Sequence, residues 1–395
     1  MKLIHPNIWK LFVIKGGLWF MIIMPIIVLF FQDNGLNMTQ IMSLQACYSA
    51  SLALTEIPSG YAADLLGRKK TLILGCVLAF LGFTLFSVAY TFLGFLVAEV
   101  LLGVGNSFIS GADTALMYDS LLEVKAEKKF LKYEGRSISI GNFSEAFAGI
   151  IGGSLAAISF RYPAYAQVII SFFILPFAFS LREPKIQQNR IQRSWKSILE
   201  VLDFSLRTSK VLRTHILYSS GIGMGTLMMA WLAQPFLKEL GVEMKHYGIL
   251  WALLNVVVGL VAYQAHRIEN RFSELQSLFL VGFICVFGYL FMSFNINGMG
   301  FGVLLIFYAN RGYATPLLRN HINKHTPSNV RATVMSIRSL IIRMSFALIA
   351  PCIGWVADQW GLEQAFTIMS VWVAIIASFC LCWFYKNKNE LVPKL

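Results

Sequence analysis

Along most of this chain, apolar residues neither alternate nor recur at the spacing of a half-buried helix. They run on for about twenty positions at a time and stop at short polar clusters. Such runs fall near 11–31, 40–62, 71–89, 93–117, 137–158, 163–181, 211–236, 246–265, 275–294, 299–321, 332–356 and 364–385. A helix needs about 20 residues to cross hydrocarbon, and in lipid only helices and closed barrels pair every backbone polar group internally. Each run therefore predicts a membrane-spanning helix, twelve in all. Pro25, Pro58, Pro176 and Pro316 lie inside these runs; membrane helices tolerate proline where neighbours satisfy the freed backbone groups. The first run is too long for the apolar core of a cleaved leader and is followed by no small-residue cleavage site, so it reads as the first span.

The longest hydrophilic segment, 182–213, divides the runs six and six. The expected organisation is a six-helix bundle over 1–181, a linker over 182–210 and a second six-helix bundle over 211–395. Within the linker, Trp195, Ile198, Leu199, Leu202 and Leu206 recur at helical spacing beside Lys196, Arg207 and Lys210. That pattern reads as a basic amphipathic helix on the inner membrane surface, with a solvated linker as the alternative.

Charge placement orients the spans. Twelve spans put both termini on one side, and 27 of the 33 Lys and Arg residues fall on that side. Arg161, Lys238 and Lys245 fall on the other, and Arg311, Arg338 and Arg343 fall inside spans. Basic loops stay cytoplasmic, so both termini are expected in the cytoplasm. The same placement accounts for the net charge of +13 without a nucleic-acid partner.

Composition agrees with a membrane protein: 57% of residues are hydrophobic and 13% charged, with a mean hydropathy of +0.64. Soluble domains carry about 25% charged residues. The six cysteines (Cys47, Cys76, Cys285, Cys352, Cys380, Cys382) match neither a zinc site nor a disulfide framework and read as packing residues. A membrane enzyme would need clustered histidines or paired acids at an interface. The six histidines are scattered, and His321 and His325, four apart, read as surface residues without an acidic third ligand. No cofactor and no metal site are expected. No Gly-x-x-x-x-Gly-Lys-Ser/Thr run offers ATP drive.

One loop is more specific. After the second run comes Gly60-Tyr61-Ala62-Ala63-Asp64-Leu65-Leu66-Gly67-Arg68-Lys69-Lys70. Gly60 and Gly67 suit close packing and a tight turn, Asp64 and Arg68 are near-neighbours able to pair, and the three cations suit anionic headgroups. The segment resembles the loop signature of the major facilitator superfamily, Gly-x-x-x-Asp-x-x-Gly-Arg-Arg/Lys-x-Arg/Lys, and sits in the loop where that family has it. Arg331-Ala332-Thr333 and Gly354-Trp355-Val356-Ala357-Asp358 look like further family segments, and Gly259 with Arg267 repeats the Gly60–Arg68 spacing in the second half, with Tyr263 at the acidic position. The resemblance implies an all-α fold of two pseudo-symmetric six-helix bundles, a central cavity and alternating access. It leans towards the twelve-helix bacterial, drug-efflux-like branch. Two departures weaken proton-coupled drug antiport. The span-four Arg-x-x-x-Gly pattern reads Glu99-x-x-x-Gly103, and the span-five Gly-Pro-x-x-Gly-Gly reads Ala148-Gly149-Ile150-Ile151-Gly152-Gly153.

Charges inside spans are the candidate machinery, because each costs at least about 2.5–3.5 kcal/mol at the bilayer centre. Glu56, Glu99, Asp113 and Glu145 lie in the first half; Arg311, Arg338 and Arg343 lie in the second. Glu56 and Arg338 sit at similar depth, eight residues from Asp64 and seven from Arg331. They are the expected charge pair between halves, with Asp64, Arg68 and Asp119 as the cytoplasmic gate. Glu99, Gly103, Asn106, Ser110 and Asp113 share one helical face, expected to meet protein or water. The resemblance puts spans one, four, seven and ten around the cavity. Span ten offers Tyr308, Arg311 and Thr315, with Arg311 the first choice for contacting substrate and Asn106 its neutral counterpart. Glu99 and Asp113 are candidate proton carriers. Glu145 is either a cavity acid or a partner for Arg343. Trp19, Phe20 and Met24, with Met224, Met228 and Trp231, could form an adaptable apolar pocket or simply pack.

The expected function is secondary active transport of a small molecule, driven by protons or another ion, by a monomer in a bacterial cytoplasmic membrane among its lipids. Efflux of lipophilic compounds leads. Uptake of a nutrient and a non-transporting receptor on the same scaffold are the alternatives.

Overall fold

The computed structural model describes residues 5–185, 203–269, 271–294, 299–327 and 330–387. Among them there is no strand. The chain is a succession of helices: α1 (Asn7–Trp19), α2 (Ile27–Asp33), α3 (Met38–Leu66), α4 (Arg68–Val88), α5 (Phe92–Ile109), α6 (Ala112–Glu123), α7 (Phe130–Ala156), α8 (Arg161–Phe179), α9 (Lys210–Glu239), α10 (Tyr247–Glu269), α11 (Glu274–Met292), α12 (Gly300–Lys324), α13 (Arg331–Trp360) and α14 (Leu362–Lys386). Nine segments among the described residues are long and apolar enough to cross a membrane, counting α1–α2 and α5–α6 as one each. The three other long helices, α3, α7 and α12, carry in-span polar groups such as Glu56, Glu145 and Arg311, which lower their apolarity without shortening them. Together these accommodate the twelve expected spans. The expected amphipathic helix at 195–206 falls almost wholly outside the described residues; a short π-helical turn, Phe204–Thr208, leads into α9.

Two expected spans are broken. The first ends as a regular helix at Trp19 and resumes through a single 3₁₀ turn, Met24–Ile26, that contains Pro25. The fourth breaks at Ser110–Gly111. Apolar runs report length but are blind to such breaks, because every residue around them is still compatible with lipid or protein surroundings.

The helices form two compact units. The first takes the described residues within Met1–Leu36, Ser43–Ile191 and Val242–Leu253; the second takes those within Asn37–Met42, Gln192–Gly241 and Leu254–Leu395. In unit one, α4 packs along α5 and α8, and α1 packs along α7 and α8. Ile8, Leu11 and Ile14 of α1 meet Leu72 and Cys76 of α4, Leu116 of α6 and Ile174 of α8 in one apolar core. A second cluster stacks Phe30, Phe31, Phe86 and Phe95. In unit two, α9 is buried along nearly its whole length and packs on α12, α13 and α14. Cys76, Cys285 and Cys380 are buried as packing residues, whereas Cys352 and Cys382 lie on exposed helix faces, against the expectation for them.

Candidate functional site: polar groups within the spans

The break in the fourth span builds the most concentrated polar site of unit one. Gly111 has φ +83°, a conformation that any residue with a Cβ adopts only at a cost. It turns the chain so that Asp113 falls in the first turn of α6, where exposed N–H groups favour a carboxylate. Asp113 Oδ1 accepts the Thr114 N–H at 2.6 Å. Its Oδ2 accepts from Lys15 Nζ at 3.0 Å. The Thr114 hydroxyl reaches Glu134 Oε1 at 3.4 Å. Lys15 and Asp113 side chains are only 21% and 15% exposed, so solvent screens this pair weakly. Leu11, Ile14, Leu18 and Met117 wall the same groups into a small cleft.

Lys15 corrects the charge reading. Counted with the cytoplasmic loops, it instead lies inside α1 and neutralises Asp113. The in-span charges of the first half are therefore not all acidic. Glu134 also went unnoticed, because it lies close to the start of its helix among loop charges.

The polar stripe expected along span four is not one continuous face. Its first part faces α3. Glu99, 3% exposed, accepts from Gln45 Nε2 at 3.0 Å. A Cβ on Gly103 would stand 2.6 Å from the Tyr48 carbonyl oxygen. Asn106 donates to the Tyr48 hydroxyl at 2.8 Å. Beyond the Gly111 turn, Asp113 looks to α1 instead. Glu145 is half-buried on α7 and also engaged in an interaction. On the same helix, a Cβ on Gly152 would stand 2.0 Å from the Ile22 carbonyl, and one on Gly153 2.7 Å from the Gly248 nitrogen. At these glycines, as at Gly149, α7 comes into direct contact with other backbone.

In the signature loop, Gly67 (φ +94°) ends α3, and Arg68 opens α4. Arg68 Nε donates to Asp119 Oδ2 at 2.7 Å, and Asp119 is 9% exposed. The side chain of Asp64 lies outside the described residues. The loop's strongest acceptor is one the sequence reading missed. The Glu183 carboxylate takes the N–H groups of Arg68 at 2.9 Å and Lys69 at 2.7 Å, capping the start of α4 from 115 residues away. Gly60 departs from expectation. It sits inside α3 with nothing within 4 Å of where a Cβ would stand, so it makes no close contact. The helix runs on through Leu66, and the turn belongs to Gly67 alone.

Unit two holds its in-span cations differently. Arg338, 8% exposed, donates from Nε to the Ser219 hydroxyl at 2.5 Å. Arg311 is half-buried with its guanidinium 5.8 Å from the centre of the Tyr308 ring. No carboxylate among the described residues forms an ion pair with Arg311. Tyr308 itself is 1% exposed. Arg343 is half-buried on α13, and Glu56 is half-buried and engaged in an interaction on α3. Met224 and Met228 are fully buried, and Trp231 nearly so, so these three pack the core of unit two rather than line an open pocket.

The histidines also differ from expectation. His321 is 1% exposed, not a surface residue, and meets two acids: Nε2 is 3.3 Å from Glu269 Oε1 and Nδ1 is 2.9 Å from Glu274 Oε1. His215 Nε2 is 3.4 Å from the same Glu274 oxygen. The acids come from other helices, so spacing along α12 could not reveal them.

Long apolar helices, two of the spans broken, with charged groups held inside them, define a polytopic membrane protein. The family model of the Major Facilitator Superfamily matches residues 13–340. The chain belongs to that superfamily, with its all-α membrane fold, and is a membrane transporter by family. It is 22% identical over 373 residues to the uncharacterized MFS-type transporter YxaM of Bacillus subtilis (strain 168), covering 91% of each chain. It is 22% identical over 277 residues to the quinolone resistance protein NorA of Staphylococcus aureus, covering 69% of this chain and 68% of that one. Among solved structures, the nucleoside transporter NupG superimposes with a TM-score of 0.79 at 12% identity, covering 96% of this chain and 98% of that one. That likeness is one of fold.

Proposed function

We propose that this chain is a proton-coupled secondary transporter that exports lipophilic small molecules across a bacterial cytoplasmic membrane by alternating access, with both termini in the cytoplasm. The observation that carries this reading is the Lys15–Asp113 pair at the break between α5 and α6, with Glu134 beside it in the same cleft. A carboxylate held by a lysine in a weakly screened site can be discharged by one proton, and the lysine then loses its partner. The pair thus converts protonation into a change of local contacts, which is what coupling requires. Arg311 over Tyr308 is the proposed substrate-facing charge of the second half, and Arg68–Asp119 the proposed gate.

Export is favoured by the similarity to a quinolone resistance protein and by the close backbone packing at Gly152 and Gly153, the part of the family's antiporter pattern that this chain keeps. Uptake is the second reading. It is favoured by Glu99, bound to Gln45, standing where the family pattern has an arginine.

Flux in proteoliposomes, driven by an imposed pH gradient and followed with a fluorescent quinolone, tests the proposal. Wild-type protein should move the compound against the proton flow, in the export direction and in proportion to the gradient. Asp113→Asn should lower gradient-driven flux at least about tenfold while leaving exchange without a gradient. Gradient-driven flux unaffected by Asp113→Asn would remove the pair from coupling, and accumulation in the opposite direction would select uptake.

A further inference from the structure

A cluster in unit two has no part in the function proposed above. His215 near the start of α9, Glu274 at the start of α11, and His325 just after α12 bring one ligand atom each within 4.8 Å of one another. The imidazoles of His215 and His325 are stacked, with centroids 5.0 Å apart and planes 17° apart. His321 stands against both His215 and Glu274, and Glu269 backs His321 while also meeting Lys324 and Asn320.

Proximity alone would describe an ordinary buried network. What sets this cluster apart is that its close contacts are not aligned hydrogen bonds. His215 Nε2, both ring nitrogens of His321, His325 Nε2 and Glu274 Oε1 are buried with no aligned hydrogen bond. His215 and His321 are 2% and 1% exposed. Buried polar atoms are paired in the great majority of cases, and each exception asks for a partner. His215, Glu274 and His325, brought together from α9, α11 and the end of α12, ask for the same partner.

Two imidazoles and a carboxylate are a ligand set for zinc-class ions, and such sites keep the fourth position for water or another group. Ligands about 2.0–2.1 Å from a tetrahedral centre lie roughly 3.3 Å from one another. The His215–Glu274 separation of 3.4 Å already has that value, and all three ligand atoms lie within 4.8 Å of one another. His321 and Glu269 fit the outer role, in which a second group orients a ligating carboxylate or imidazole. The single Glu274 charge leaves a dipositive ion compensated in part, as in many two-histidine, one-carboxylate sites.

We propose that His215, Glu274 and His325 bind one divalent transition-metal ion of the zinc class, with His321 and Glu269 as its supporting shell. The ion would tie α9, α11 and α12 together at the end of unit two that the loop charges assign to the cytoplasm, and so stabilise this unit in response to metal supply.

The test uses full-length protein purified through a tag without histidines and stripped with chelator. Co²⁺ is titrated by visible absorption and Zn²⁺ by calorimetry. One ion per chain, a tetrahedral cobalt spectrum and a thermal midpoint raised by Zn²⁺ are expected. His215→Gln with His325→Gln should weaken binding at least about 100-fold, and His321→Ala about 10- to 100-fold. His5→Gln and His246→Gln, both in unit one, should change nothing. Failure of folded wild-type protein to bind Co²⁺ or Zn²⁺ stoichiometrically would overturn the proposal, as would undiminished binding in the double variant. The wild-type cobalt spectrum decides the matter even if the variants fold poorly. None of these readouts depends on transport.

Discussion

The two units handle charge inside a membrane in opposite ways. Unit one breaks two of its spans and holds charges in pairs, Lys15 with Asp113 beside the Gly111 turn and Arg68 with Asp119. Unit two keeps the corresponding helices α9 and α12 unbroken and gives its in-span arginines neutral company, the Ser219 hydroxyl and the Tyr308 ring. Its histidine cluster holds nitrogen and oxygen atoms that lack aligned partners. An ion pair in a low dielectric is stable only while both charges persist. A cation held by a hydroxyl or a ring still has ion-pairing capacity. The first arrangement suits a protonation-dependent contact, and the second suits charge brought by a ligand.

The largest expected effect lies in unit one. Lys15→Met leaves the Asp113 carboxylate in a weakly screened site without its counter-charge, and breaking a buried pair from one side costs about 3–5 kcal/mol. Lys15→Met combined with Asp113→Asn removes both charges and should recover most of that loss. Arg311→Met in unit two, which leaves no carboxylate stranded among the described residues, should cost far less. Thermal midpoints and denaturant unfolding of the purified variants measure all three. A double variant no more stable than Lys15→Met would show that the pair is not what stabilises the break.

A smaller effect is expected where each unit caps a helix from afar. In unit one the Glu183 carboxylate takes the first N–H groups of α4. In unit two the Asp358 carboxylate takes the N–H groups of Met38 at 2.8 Å and Thr39 at 2.7 Å, at the start of α3. A side-chain cap contributes about 0.5–2 kcal/mol, and a helix N-terminus favours the negative charge besides. Glu183→Ala and Asp358→Ala should each lower stability by about 1–2 kcal/mol. Glu183→Gln and Asp358→Asn should restore part of it, since an amide oxygen still accepts. Equal losses for the alanine and amide variants would mean that the charge carries the whole effect.

These caps mark where sequence reading stops. The spans were legible because an apolar run of about twenty residues has one stable use in a membrane, and the loop from Gly60 to Lys70 was legible because its residues are contiguous. Glu183 and Asp358 were not, since each acts on a backbone more than 100 residues away. Lys15 was misplaced because a lysine one or two turns from a helix end reads as a loop cation, and only the position of Asp113 shows otherwise. The histidine cluster was hidden for the same reason. His215, Glu274 and His325 are spread over 111 positions, and the one visible pair, His321 and His325, lacked its acids. Breaks at Gly111 and Pro25 leave no trace in an apolar pattern.

The smallest expected effect separates the two glycines of the signature loop. Gly67 stands at φ +94°, with the Glu183 carboxylate 3.0 Å from where a Cβ would be, so Gly67→Ala strains the turn and crowds the cap at once. Gly60 lies in a regular helix with open space around it. There, alanine is the better helix former by about 1 kcal/mol, so Gly60→Ala should leave stability unchanged or raise it slightly. A more informative probe is Gly60→Leu, which extends further than alanine from a position whose Cβ would stand in open space. If transport needs only this arrangement of α3, Gly60→Leu should also leave flux intact. Unchanged stability with lost flux would instead place Gly60 at a close approach formed elsewhere in the transport cycle, and would return to it the packing role its place in the motif suggests.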